Sequence, residues 1–433
     1  MSLPKYEKYK NSGVPWIGCV PAHWEVVALK YLLDIQNGAD HKNVEQADGF
    51  PVIGSGGQFA YASAYLYDGE SVLLGRKGTI DKPLYFNGPF WTVDTMYWSK
   101  VRTGAHGRFA YYAALKIPFD YYSTNTAVPS MTKSALSAHL IARPPLEEQM
   151  AIAGFLDREI AKIDMLIAEQ EKLITLQAEK RQATISHAVT KGLNPNAPLK
   201  DSGVAWLGDV PEHWKVGKAG FYISVLPGYA FSSNGFSHDD NNVKLLRGIN
   251  VGVGELKWDE VVYWSRTKAD GLNAFELDAG DVVIGMDRPL ISTGMRVAVV
   301  QEQDLPCLLL QRVAKIRPSS LVEGRFMMRL LSSRAFEAHF APEATGVSVP
   351  HISGEQIANF VIPVPPMDEQ KRICNFLDAE FAQLDTLTRE SERAIALLSE
   401  RRAALITAAV TGQIDVRDVR SPKILESLEA IAA

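Results

Sequence analysis

The chain is a duplication, and this limits what it can fold into more than any other feature. Residues 12–26 read SGVPWIGCVPAHWEV and residues 202–216 read SGVAWLGDVPEHWKV, alike at 10 of 15 positions with a constant offset of 190. Residues 144–190, opening PPLEEQMAIAGFLDREIAKID, match residues 365–411, opening PPMDEQKRICNFLDAEFAQLD, at 23 of 47 positions with an offset of 221. Between the matched blocks the similarity nearly vanishes. Such a chain is one frame made twice, carrying two different inserts: one scaffold presenting two readers.

Apolar content of 46% and charged content of 22% are those of a soluble globular protein, and 433 residues allow two or three domains. No apolar stretch reaches 18 residues and MSLPKYEKYKNSG has no signal-peptide core, so a cytoplasmic protein without a membrane span is expected. Cys19, Cys307 and Cys374 are far apart, which excludes a zinc knuckle and argues against a disulfide framework. The net charge is −5. The inserts are no more basic: residues 30–140 hold 10 Lys/Arg against 9 Asp/Glu, and residues 218–362 hold 14 against 16. Any nucleic-acid surface must therefore be a local arrangement of cations.

Each repeat has three parts. The short block supplies aromatic anchors, Trp16 and Trp24 in one copy and Trp206 and Trp214 in the other, expected to pack the start of each domain. His23 and His213 recur at one repeat position, which suggests a shared packing or hydrogen-bonding role. The inserts follow, with short apolar runs such as SVLLG, PLYF, DVVIGM and CLLLQRVAKI broken by turn residues: mixed, mostly β domains. Each closes on a helical stretch, GRFAYYAALK (107–116) and GRFMMRLLSSRAFEAHF (324–340).

The third part is a long helix. Pro144-Pro145 and Pro365-Pro366 suit a helix start, and Gly192 and Gly412 suit its end. Ile152, Leu156, Ile160, Ile163, Ile167 and Ile174 form an apolar stripe, matched by Ile373, Leu377, Phe381, Leu384, Thr388 and Ile395. About 45 residues of helix span roughly 70 Å. The junction at 191–200 is short, so the second helix is expected to run back antiparallel to the first, giving two globular ends on a two-helix rod with a pseudo-two-fold repeat. The expected fold is α+β. Its segments are a first globular domain (1–143), a long helix (144–192), a linker (193–200), a second globular domain (201–364), a second long helix (365–412) and a tail (413–433).

Catalytic signatures are missing. There is no GxxxxGK[ST] loop and no HExxH, and the glycine clusters at 54–57 and 248–254 do not open a helix in a βαβ unit. Asp240, Glu255 and Lys257 loosely resemble a metal-nuclease set, but the first half has no counterpart.

The repeated blocks WIGCVPAHW/WLGDVPEHW, PPLEEQ/PPMDEQ, FLDREIAKID/FLDAEFAQLD and AVTKG/AAVTGQIDV resemble the specificity subunit of Type I restriction-modification systems, over about residues 11–420. The resemblance implies a non-catalytic DNA-binding subunit with two target recognition domains, each reading half of a split double-stranded target. The helices would form an antiparallel spacer that docks two methyltransferase subunits, in a complex that includes restriction subunits. S-adenosylmethionine, ATP and Mg would belong to those partners, with no cofactor or metal in this chain, and partners would supply phosphate contacts that an acidic chain lacks. The other readings are a scaffold that binds only proteins, or a self-contained nuclease.

Base-reading residues carry no family motif, so they are chosen by chemistry: Arg or Lys for guanine, Asn for adenine, Thr for the thymine methyl. Arg76, Lys77 and Thr79 in LLGRKGTID, and Ser123, Thr124 and Asn125 in YYSTNTAVP, are the candidates in the first insert. Arg247 and Asn250 in LLRGIN and Arg288 in IGMDRPLIST are those in the second. The hydrophobic strands before Arg76 and Met286 would place their turns on comparable loops. Glu169, Glu171, Arg181, Glu390, Glu392 and Arg402 occupy matching helix positions and are the candidate partner contacts.

Overall fold

The computed structural model of the chain describes residues 3–122, 129–267, 270–291, 294–340 and 351–418. They form two compact units, Met1–Glu171 with Glu392–Ala433, and Lys172–Ser391. The division falls inside the long helices, Leu146–Lys191 and Met367–Val410, and not at their ends. The apolar stripes explain this. In the first unit Ile152, Leu156 and Ile160 from the start of one helix share a core with Ile406, Ala409 and Val410 from the end of the other. In the second unit Ile373, Leu377 and Phe381 share a core with Ile185, Ala188 and Val189.

In the first unit a seven-stranded sheet runs in the order Leu33–Asn37, Met96–Val101, Tyr67–Gly75, Leu84–Thr92, Phe50–Gly54, Gly57–Ala62, Glu45–Gln46. The run SVLLG is buried throughout because the sheet is covered on both faces: Val72 and Leu74 join the main core, while Leu73 joins Ile53, Phe90, Met96 and Trp98. The second unit repeats this alternation. In its four-stranded sheet (Ile223–Pro227, Val313–Pro318, Val282–Gly285, Val297–Val299), Val282 and Ile284 face the main core, and Val283 faces Leu309 and Val313. A three-stranded sheet sets Val243–Leu246 between the antiparallel Tyr263–Trp264 and the parallel Cys307–Leu309.

The duplicated motifs build the joint between each insert and the helices. Glu148, in the first turn of its helix, accepts from the Trp24 indole at 2.9 Å and pairs with His23 Nε2 at 2.6 Å. Glu369 does the same for Trp214 (3.1 Å) and His213 (2.8 Å). The recurring histidines therefore have the shared hydrogen-bonding role expected of them. Gln149 and Gln370, both buried, clamp the loops before the insert helices: each side-chain carbonyl accepts from a backbone N–H, of His106 (2.9 Å) and of Glu323 (2.8 Å). Asp157 and Asp378 of the FLD motifs hold the insert helices by Arg108 (2.6 Å) and Tyr112 (2.6 Å), and by Arg325 (3.0 Å) and Arg329 (2.7 Å). Gly192 and Gly412 end the helices at φ +73° each, and a Cβ would stand 3.1 Å from Trp214 and Trp24 respectively.

Two of the four tryptophans are not core anchors. Trp16 is 41% exposed and stacks on His139, because the turn that carries it projects over the insert; Trp206 is half-buried on Phe360. Along the helix pair, Gln177 bonds Thr388 (2.8 Å) and Arg181 pairs with Asp385, so rising numbers meet falling ones: the two helices of the seam run antiparallel. The first unit carries the matching bridge, Arg402 to Asp164 at 3.0 Å. Cys307 and Cys374 are buried, free thiols, each pushed up to about 12 chiefly by burial, while the free Cys19 is exposed. Among the described residues no helix is long and apolar enough to cross a membrane.

Candidate nucleic-acid interface

The turns after the buried strands Tyr67–Gly75 and Val282–Gly285 occupy the same place in the two units. Arg76 N–H donates to Thr95 O (2.9 Å) and Arg76 O accepts from Met131 N–H (3.0 Å). Met286 makes the same two bonds, to Arg312 O and from Ile352 N–H, both 2.9 Å. Lys77 bridges Ser130 through the backbone as Asp287 bridges His351. Gly78, at φ +82°, then stands where Arg288 stands at φ +44°. The comparable loops expected from sequence are thus equivalent, and their side chains differ at every step.

In the first unit Lys77 and Thr79 are exposed on this turn. Arg76 is half-buried and donates to Asp94 O at 3.2 Å, which fixes the neighbouring loop. Ser123, Thr124 and Asn125 lie outside the described residues.

In the second unit the turn forms one wall of an open cleft of about 910 Å³. Its cations are Arg181, Lys257, Arg288, Arg296 and Arg312. Arg288 and Arg312 are the two non-glycine residues with positive φ among the described residues (44° and 71°). Backbone strain of this kind persists where surrounding structure imposes it, and it clusters at functional sites. Arg312 Nη1 donates to Asp287 Oδ2 at 2.5 Å, and His351 Nδ1 meets Asp287 Oδ1 at 2.7 Å. Arg296 is a strut: its guanidinium donates to Val251 O, Asp287 O and Arg288 O (3.0, 3.2 and 3.4 Å). Burial holds the Arg296 guanidinium below its ordinary range, against the pull of Asp287. Lys257 pairs with Glu255 at 3.5 Å and Arg181 with Asp385. Arg288, exposed, is the one cleft cation with no side-chain hydrogen bond or ion pair to a described residue.

Two candidates are corrected. Asn250 is 1% exposed; its Oδ1 accepts from Arg247 N–H (3.1 Å) and its Nδ2 donates to Lys257 O and Glu260 O (both 2.9 Å). It closes its own loop and has no edge left for adenine. Arg247 is half-buried and donates to Glu260 O (2.9 Å), so it belongs to the same loop. Arg181 and Arg402 are also corrected: both bridge the helices, and the exposed helix candidates are Glu169, Glu171, Glu390 and Glu392. Arg312 is a cleft residue that sequence reasoning misses. The polar pair Gln311-Arg312 inside the apolar run CLLLQRVAKI marks a turn tip between strands, and that is the signal that could have found it. For the nuclease reading, Glu255 and Lys257 pair with each other, and no group of three His, Cys, Asp or Glu among the described residues is placed to hold a metal.

A family profile described as "Type I restriction modification DNA specificity domain" matches residues 21–175 and 237–396. The chain is similar to the Type I restriction enzyme MjaVIII specificity subunit of Methanocaldococcus jannaschii, 25% identical over 361 residues, which covers 82% of this chain and 79% of that one. The Type I restriction enzyme EcoBI specificity subunit of Escherichia coli is 20% identical over 433 residues, covering 95% and 90%. A solved structure titled "Structural basis underlying complex assembly and conformational transition of the type I R-M system" shares the fold at a TM-score of 0.64 and 18% identity, covering 90% of this chain and 98% of that one. The matched segments take in the first part of both long-helix blocks, 144–175 and 365–396, and the chain belongs to the family of Type I restriction-modification DNA specificity subunits, non-catalytic proteins that recognise DNA sequence for partner methylation and restriction subunits.

Proposed function

We propose that each unit reads one half of a split double-stranded DNA target, the first through Lys77 and Thr79 and the second through the cleft that carries Arg288. The observation that supports this is the pair of equivalent turns on a duplicated frame, with Lys77-Gly78-Thr79 in one and Asp287-Arg288-Pro289 in the other. A common frame places both turns alike; unlike side chains give the two halves different sequences. The antiparallel helices set the separation of the half-sites and dock two methyltransferase subunits, with Glu169, Glu171, Glu390 and Glu392 among the contacts, and restriction subunits complete the assembly. This chain works in the cytoplasm and binds no cofactor; S-adenosylmethionine, ATP and Mg are taken by the partners.

The test is methylome sequencing of a host expressing this chain with its methyltransferase partner, beside a deletion of this chain. The expected result is N6-methyladenine at one split motif, lost on deletion. Exchange of residues 30–140 for those of another member should change one half of the motif and leave the other intact. An unchanged methylome with an active partner would favour a scaffold that binds only proteins.

A further inference from the structure

We infer that Arg312 reads a guanine in the half-site of the second unit, with Asp287 and His351 as the positioning residues that hold its guanidinium; this rests on the DNA-reading role proposed above. Arg312 sits at the tip between the strands Cys307–Leu309 and Val313–Pro318, in a left-handed conformation that glycine would adopt more readily. An arginine is kept there against the preference of its own backbone. Its side chain is 61% exposed even though Nη1 is tied to Asp287. Nε and Nη2 make no hydrogen bond to a described residue, which leaves two donors of one rigid plane for a base edge.

Charge decides between a base and a phosphate. Asp287 neutralises Arg312, so the pair offers little net attraction to the DNA backbone. What it offers is direction: a fork already oriented before binding, suited to the O6 and N7 acceptors of guanine. Asp287 is itself held by His351 on its other oxygen, by the backbone bridge to His351, and by Arg296 on its carbonyl. Arg288, beside it and unpaired, has the opposite character and suits a phosphate. The first unit has no such device, since Thr95, Lys77 and Ser130 stand at the positions of Arg312, Asp287 and His351.

The experiment is methylome sequencing with the full chain and its methyltransferase partner, comparing the unaltered chain with Arg312→Gly, Arg312→Lys and Asp287→Asn. Arg312→Gly removes the fork and suits the backbone, so misfolding does not mask its effect. One G·C position in one half of the motif should become degenerate, with discrimination there falling about tenfold, as for the loss of one bidentate pair. Arg312→Lys should degrade the same position, and Asp287→Asn should do so more mildly. A motif that stays intact while methylation falls uniformly would make Arg312 a phosphate contact and overturn the inference. Degradation of both halves would make it a structural residue and overturn it equally. If the unaltered chain directs no split motif, the proposed function itself fails. Binding to the motif DNA gives a second readout: Arg288→Ala should lower the slope of log K against log salt by about 0.9, and Arg312→Gly should leave it unchanged.

Discussion

His139 shows how much a single side chain in the first unit depends on its surroundings. It is 3% exposed, its Nδ1 lies 2.8 Å from the Tyr122 hydroxyl, and its ring stacks on Trp16 at 5.4 Å. Burial pushes its pKa down from 6.5 to about 4. The unfolded chain therefore binds one more proton between those values. Its contribution is fully present above pH 6.5 and is lost as pH falls toward 4. Lowering the pH from 7 to 5 should cost the first unit about 2 kcal/mol through this group. A urea midpoint followed by tryptophan fluorescence reads the loss, and His139→Gln should flatten that part of the profile. Residue roles are only partly legible in the sequence. The exposed turns that carry Arg288 and Lys77 with Thr79 can be placed because glycines and an apolar strand frame them; what those side chains contact cannot. Asn250 cannot be judged in the same way, because the amide that suits adenine also suits a tight loop, and only the carbonyls of Lys257 and Glu260 decide between them.

The long helices are the most legible elements, since prolines, first-turn acids, an apolar stripe and terminal glycines all agree. Their faces are harder to assign. Arg181 and Arg402 look like outward charges in the sequence, yet they reach across to Asp385 and Asp164, which occupy matching positions of the repeat. These pairs are partly exposed and worth about 0.2–1 kcal/mol each. The seam also holds a polar step, Gln177 against Thr388, where Gln177 is 7% exposed and its Nε2 has no hydrogen-bond partner among the described residues. A buried amide of this kind fixes register at the expense of stability. Replacing both, Gln177→Leu with Thr388→Val, should raise stability by roughly 1 kcal/mol, because both partners of the bond are removed together. Thermal unfolding checks this; a lower Tm would mean that the hydrogen bond outweighs the lost apolar contact.

Each core is completed from two distant stretches of the chain, and this governs how the whole molecule can be divided. Ile406, Ala409 and Val410 close the first core, while Ile185, Ala188 and Val189, at matching repeat positions, close the second. A fragment of residues 1–200 lacks the second helix, and burial of each missing aliphatic side chain is worth about 1.5–3 kcal/mol. Its own residues 185–189 can supply the missing group to another copy. The fragment should therefore be a dimer by sedimentation equilibrium, and Ile185→Asp should make it monomeric and unstable; a stable monomer from the unaltered fragment would refute this account. The joint at Trp24 and Trp214 carries the same logic into heredity. Glu148 and Glu369, which accept from these tryptophans, and Gly412 and Gly192, which pass close beside them, are all written in the repeated blocks, while the turns proposed to read DNA are written between them. A crossover between genes within those blocks exchanges one reading domain whole and returns an intact joint. New combinations of half-sites then arise by recombination in a single event, without passing through an unfolded ancestor.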